Sequence, residues 1–226
     1  MKKIISILLT STVLIFFAVA NSMADWTAGF SVTHGEYTAN GSESENGSIS
    51  YSSDQAKAVT YPSVFIEKTL DWNGVSVGLD IIPASQESEE ATRTDINIGD
   101  TQKTTGNDGG ASGVTNKAKV ELSQHVTAYA IVPVMDTGAF ARLGVQTVNV
   151  ETKEQLATGS AYPDKRIFGG TVGLGYQHET ALGFIRAEVG HSIYEEFTLT
   201  STTNTDNKVT ADLDGTFARI SVGMAF

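Results

Sequence analysis

Apolar and polar residues alternate in twos over much of the chain, and the clearest example is its last ten residues. Counting back from Phe226 gives Met224, Val222, Ile220 and Ala218, with Ala225, Gly223, Ser221, Arg219 and Phe217 between them. A two-residue period is that of a β-strand with two unlike faces, here one apolar and one small or charged. The same period sets Val75, Val77, Leu79 and Ile81 against Ser76, Gly78 and Asp80, and Ala139, Ala141, Leu143 and Val145 against Phe140, Arg142, Gly144 and Gln146. It recurs as Phe168, Val172, Leu174 and Tyr176 against Gly169, Thr171, Gly173 and Gly175, and as Ile185, Ala187, Val189 and Ile193 against Arg186, Glu188, Gly190 and Ser192. Eight strands are predicted: 26–38, 61–70, 75–82, 117–131, 138–150, 165–176, 183–197 and 209–226.

The connections alternate as well. Asp71-Trp72-Asn73-Gly74, Pro133 to Thr137 and Gln177 to Leu182 are tight, and Asn-Gly is the strongest short hairpin signal. Ala39 to Thr60, Pro83 to Asn116, Glu151 to Asp164 and Thr198 to Lys208 are long and polar. This rhythm of short turns and long loops is that of a transmembrane barrel.

Composition narrows the class. The 226 residues include no Cys, so no disulfide framework is available. Residues 1–24 read as a secretory signal: a basic Met1-Lys2-Lys3, an apolar run from Ile4 to Ala20, and small residues Ser22 and Ala24 before a cut at Asp25. A cut after Ala20, served by Ala18, competes with it. Loss of Lys2 and Lys3 leaves 13 basic against 26 acidic residues, a net of −13, which argues against nucleic acid as a partner. Beyond residue 24 no apolar run reaches the ~20 residues of a membrane helix. A membrane is then crossed only by a closed barrel.

The faces say which side is the interior. A soluble barrel would hold its bulky apolar residues inside. Here the polar faces are mostly small, as with Gly169, Gly173 and Gly175, which suits a narrow cylinder, while the apolar faces carry aliphatics bracketed by aromatics, as a lipid-facing band does. Trp26, Trp72, Tyr176 and Phe226 fall at the turn end and Tyr37, Tyr162, Tyr194 and Phe197 at the loop end. Residues 25–226 are thus expected to form one all-β domain, an eight-stranded antiparallel up-and-down transmembrane β-barrel. Lys68 and Gln124 interrupt outward faces; Lys68 is placed to snorkel, and Gln124 has no account beyond a bulge or a wrong register.

With that facing the interior collects Glu67, Asp80, Glu121 and Glu188 against Arg142, Arg186 and Arg219, with His125 near them. Turning the arginines toward lipid would cost about 2–4 kcal/mol each near the midplane, so the register is strongly fixed. The cluster reads either as a paired ionic plug in a filled barrel or as an ion-selective constriction, the second kept open by the many inward Gly, Ser and Thr. The Pro83–Asn116 loop is acidic, with Glu87, Glu89, Glu90, Asp95, Asp100 and Asp108 against Arg93 and Lys103. It suits a solvated surface loop, a divalent-cation contact or an adhesive surface, and Ala91 to Ile98 is able to extend strands above the membrane. Gly106 to Gly110 matches no phosphate-cradling motif. No metal motif occurs in the chain, and no cofactor is expected.

The signal sequence, eight alternating segments, three tight turns, four polar loops and terminal Phe226 together resemble the small bacterial outer-membrane barrels of the opacity-protein and OmpX/OmpA membrane-domain type. The resemblance covers essentially the whole mature chain with motifs generic to the class. It implies short periplasmic turns, long outer loops and both termini periplasmic. It also implies contact with outer-membrane lipid and lipopolysaccharide, and insertion by the barrel-assembly machinery reading Ile220, Val222, Met224 and Phe226. A monomer is expected, without a peptidoglycan-binding module after Phe226. The expected role is non-enzymatic: membrane stabilisation and loop display toward an unidentified extracellular ligand. The alternatives are a narrow porin-like channel and a lipid-modifying enzyme. Small-barrel lipid enzymes place a His beside a Ser or Thr on the outer surface, as His34 and His191 are placed, but Ser192 points away from His191 and no Ser-His-acid set converges.

Overall fold

A computed structural model describes residues 26–45, 48–96, 113–156, 161–181 and 183–226. Residues 1–24, expected to be a secretory signal, and the Gly106–Gly110 stretch lie outside the described residues. Eleven strands form one antiparallel sheet: β1 (Trp26–Glu45), β2 (Ser48–Thr69), β3 (Ser76–Ile82), β4 (Gln86–Glu87), β5 (Ala91–Ile96), β6 (Gly113–Pro133), β7 (Ala139–Gln155), β8 (Lys165–Thr180), β9 (Gly183–Tyr194), β10 (Phe197–Thr200) and β11 (Lys208–Ala225). The order β1-β2-β3-β6-β7-β8-β9-β11 closes on itself through β11 and β1, from Thr27↔Ala225 to Ser44↔Lys208. These eight staves are the eight predicted strands, and closure removes every sheet edge at membrane level.

The turns form as their residues dictate. Asn73 (φ 50°) and Gly74 (φ 69°) both occupy the left-handed region, and Val75 N–H donates to the Trp72 carbonyl at 3.0 Å, which makes a type I′ turn. Met135–Thr137 is a single 3-10 turn closed by Gly138 at φ 81°. Phe226 N–H donates to the Trp26 carbonyl at 2.8 Å, so both ends of the described chain lie at the turn end.

The facing follows the alternation. Phe30, Val64, Leu79, Val145, Leu174, Val189, Ile220 and Val222 all lie exposed on the outer wall, Val145 at 68% and Leu174 at 65%. Exposed aliphatic side chains in a continuous belt are unfavourable in water and suit lipid. Val75 departs from its predicted outward position: it is buried at the turn, and β3 begins at Ser76. Lys68 is outward, with its ammonium 5.3 Å from the Trp26 ring centre, where it can reach the interface.

Above the belt the structure departs from the predicted loops. β1 and β2 continue as a ladder to Glu45↔Ser48, so most of the Ala39–Thr60 loop is strand. β6 and β7 pair up to Lys117↔Gln155, and β5 adds to β6 from Ala91↔Ala118 to Ile96↔Gly113, which extends the sheet as Ala91 to Ile98 suggested. Beyond Val120 and Leu122, which still pack inward, the outer parts of these ladders need no apolar alternation, so Ser, Thr, Asn and Glu serve as well there.

Candidate functional site: the lumen and its rim

The lumen is filled layer by layer. Toward the turn end a cavity of about 340 Å³ is lined by Thr27, Thr69, Ser76 and Gln177 and stops at Phe140, Phe184 and the Glu67–Arg186 pair. Arg186 binds Glu67 through both carboxylate oxygens, at 2.6 and 3.0 Å, and donates to Gln177 Oε1 at 3.0 and 2.7 Å. Its guanidinium carbon lies 4.5, 5.2 and 5.9 Å from the rings of Phe184, Phe140 and Phe65. Tyr129 Oη donates to Glu67 Oε1 at 2.8 Å.

One layer further in, Asp80 Oδ2 accepts from Arg219 Nη1 at 2.9 Å and from Arg142 Nη2 at 3.2 Å, and Arg142 Nη1 donates to Glu188 Oε2 at 3.3 Å. Arg142 lies 3.7 Å from the Tyr129 ring centre, and Arg219 Nε donates to Thr33 Oγ1 at 3.0 Å. Glu67, Asp80 and Glu188 balance Arg142, Arg186 and Arg219, and all six are buried. Paired and hydrogen-bonded charges of this kind are tolerated in a dry interior, whereas single ones are not.

Glu121 is not among them, which corrects its predicted place. Ser123 pairs with Asn149 and Val126 with Thr147, so Gln124 and His125 together oppose Val148. This is a β-bulge, and one extra residue reverses the facing of everything beyond it. Glu121 consequently lies outside the lumen and pairs with Lys153. Without it the cluster is neutral, rather than the predicted excess of acids.

The bulge turns Leu122 and Val120 inward instead, against Val148, Val150, Ile167 and Tyr194, with Phe197 and Leu213 completing an apolar layer across the loop end of the lumen. Tyr37 and Tyr61 join by their hydroxyls at 2.7 Å, and Tyr194 Oη lies 3.2 Å from His125 Nε2. Tyr37, Tyr194 and Phe197 therefore belong to the lumen filling and not to a lipid-facing girdle. Strand parity was the signal for Tyr37 and Tyr194, since each has the opposite parity to the outward residues of its own strand.

Seven inward glycines each face an aromatic side chain on the neighbouring strand. Gly29 opposes Phe65, Gly78 Tyr129, Gly169 Tyr194, Gly175 Phe140, Gly190 Phe217, Gly215 Tyr37 and Gly223 Phe184. In each pair the aromatic ring lies where a Cβ on the glycine would be: 2.2 Å away at Gly29, 2.3 Å at Gly175 and 2.5 Å at Gly223. Small and large side chains thus interlock across neighbouring strands, which is how a narrow barrel fills its interior.

Outside the lumen, the acidic loop is tied down by lysines. Glu87 pairs with Lys119 and Lys153, and Glu90 with Lys117 at 2.7 Å. The hydrogen bond from Lys119, helped by the charge of Lys153, holds the Glu87 carboxyl below the usual carboxylate range. Its pairing is therefore complete above the unfolded value of about 4.3 and is lost as pH falls through the lower folded value. The Ser88 amide, which donates to the Val120 carbonyl at 2.7 Å, is expected to lose hydrogen-exchange protection as pH is lowered past the ordinary carboxylate range and through the lower folded value. Lumen-facing staves should keep theirs. Equal protection of Ser88 across that range would refute the link.

On the outer wall, His34 Nδ1 lies 2.8 Å from Thr60 Oγ1, His191 Nδ1 3.2 Å from Thr216 Oγ1, and His191 Nε2 3.7 Å from Asp214. Thr216, which the sequence reading passed over, gives His191 a hydroxyl neighbour that Ser192 cannot. The acid lies beyond hydrogen-bond reach. The backbone on both sides is paired in the β8–β9–β11–β1 ladders. Among the described residues no group of three or more acids or histidines is placed to hold a metal ion.

No family model and no curated protein sequence matches the chain. Among solved structures it is similar to Ail, the attachment invasion locus protein of Yersinia pestis, at 11% identity and a TM-score of 0.35 over 86% of this chain and 99% of that one. It is also similar to the outer membrane protease OmpT of Escherichia coli, at 8% identity and 0.44 over 89% and 97%, and to Neisserial surface protein A, at 12% and 0.35 over 88% and 99%. With its ring of eight antiparallel staves, apolar outer belt and ionic lumen, the chain has the fold of a small outer-membrane β-barrel.

Proposed function

We propose that this protein is a non-enzymatic structural barrel of the bacterial outer membrane, closed to solutes, which displays an acidic strand platform on its loop side. The carrying observation is the stacked filling of the lumen: rings around Arg186, a neutral ionic layer, tyrosines with His125, and an apolar layer above them. In this reading both termini are periplasmic and the platform of β1, β2, β5, β6 and β7 faces outward toward lipopolysaccharide or an extracellular ligand. The apolar face of β11, with Ile220, Val222, Met224 and Phe226, is the part presented to the barrel-assembly machinery, and the barrel works as a monomer.

Planar-bilayer recording tests the closed lumen: the purified barrel is expected to give no single-channel steps. Reproducible steps that change size in Arg142→Ala would overturn it in favour of the channel. A second reading, a lipid-modifying enzyme, draws on the Thr216–His191 contact alone. An altered lipid A profile in cells carrying the wild type, restored by His191→Ala, would establish it against the structural role.

A further inference from the structure

Gln124 is the strained residue that neither the lumen nor the loop platform explains. Its φ of 51° is left-handed, a region that non-glycine residues seldom occupy, and bulges of this kind commonly re-aim a side chain. Here the bulge sends His125 into the lumen and Gln124 to the outer wall, where its Oε1 accepts from Arg166 Nη2 at 2.6 Å. Arg166 lies on β8 opposite Asn149, and the next outward residue toward the membrane is Phe168, exposed in the apolar belt. The guanidinium therefore sits at the loop-end rim of that belt.

Its partners set it apart from the three lumen arginines, while Lys57 and Lys165 bond to carbonyls and Lys68 lies over the Trp26 ring. Arg142, Arg186 and Arg219 each bind a carboxylate, as do Lys117, Lys119 and Lys153. Among the described residues Arg166 has no carboxylate within 4 Å, in a chain with 26 acidic residues. The nearby acids are engaged elsewhere: Glu151 accepts from Ser123 Oγ at 2.6 Å and from Asn149 at 3.2 Å, and Glu195 accepts from the Phe168 amide at 3.1 Å. A guanidinium has five donors, and a neutral amide that orients one of them leaves the fork open to an oxyanion.

We propose that Arg166, oriented by Gln124, is a docking site for the phosphate of a membrane-lipid headgroup at the outer rim. The site rests on the proposed orientation only for which leaflet it meets, and its test does not depend on whether the lumen conducts. The full chain is reconstituted in phosphatidylcholine vesicles with a trace of spin-labelled phosphatidic acid or of a spin-labelled, phosphate-free glycolipid, and the fraction of label immobilised on the barrel is measured. Phosphatidic acid is expected to be preferred by about fivefold, the factor typical of one surface cation. Arg166→Gln should lower the preference by about that factor, while Lys119→Gln, a cation already paired with Glu87, should leave it. Heat-modifiable gel migration verifies folding, and Arg166→Met replaces Arg166→Gln should that variant fail to refold. An unchanged preference in the Arg166 variant would overturn the proposal. Full displacement by inorganic phosphate would also overturn it, since the site would then take free phosphate rather than a lipid.

Discussion

Asp80→Ala is expected to destabilise the barrel by about 3–5 kcal/mol, the range for leaving buried charge without its partner. Asp80 Oδ2 bridges Arg142 and Arg219, so one truncation removes two ion pairs and turns a neutral cluster into one carrying an extra positive charge. Arg142 keeps Glu188, but Arg219 keeps only the uncharged Thr33 hydroxyl and the Phe217 ring. Asp80→Asn should cost nearly as much, because it preserves shape and loses the charge. Asp80→Ala combined with Arg219→Met should recover most of the loss, since neutral packing replaces buried ion pairs at little cost. Urea unfolding of the refolded barrel in lipid vesicles, followed by Trp26 and Trp72 fluorescence, measures all three. A cost for Asp80→Ala below about 1 kcal/mol, the range of exposed pairs, would mean that the lumen is wet enough to screen the cluster.

The dependence on Asp80 also shows what the sequence made legible. Inside the membrane, lipid on one side and a packed lumen on the other force strict alternation, so strand number, facing and six of the seven predicted cluster residues follow from counting in twos. Asn73-Gly74 named its own turn. Glu121 was misplaced because parity carries no mark of an inserted residue; the only local hint was Gln124 on an otherwise outward face, where a polar amide opposed the pattern. Beyond the belt the physical pressure changes. β1 and β2 run on through Ala39–Thr60 with water on both faces, where ladder hydrogen bonds hold the strands and no apolar period reports them.

The glycines were legible in position and misleading in meaning. Their inward facing suggested tight space, which is correct, and also a water-filled path, where seven of them instead face an aromatic ring on the neighbouring strand. The difference lies in cross-strand register, since Phe140 fills the space over Gly175 only because the β7–β8 register places the two opposite each other. Nothing in either strand alone encodes that pairing.

Gly223→Ala tests that interlock most sharply, because the three atoms nearest its added Cβ, at 2.5, 2.8 and 3.1 Å, all belong to the Phe184 ring. Phe184 is buried, stacks at 6.3 Å on Phe65 and backs the Arg186 guanidinium, so it has little room to turn away. The added methyl is expected to cost about 1–3 kcal/mol as overpacking. Phe184→Ala alone should cost about 3–5 kcal/mol through the cavity it opens. In the Phe184→Ala background, however, Gly223→Ala should change sign and stabilise by about 0.5–1 kcal/mol, because the methyl then enters empty space while strand entropy favours alanine over glycine. The reversal separates the interlock from a backbone requirement for glycine, which would make Gly223→Ala costly in both backgrounds. The same unfolding assay reads the cycle, and additivity of the two changes within about 0.5 kcal/mol would show that the ring and the glycine do not share this space.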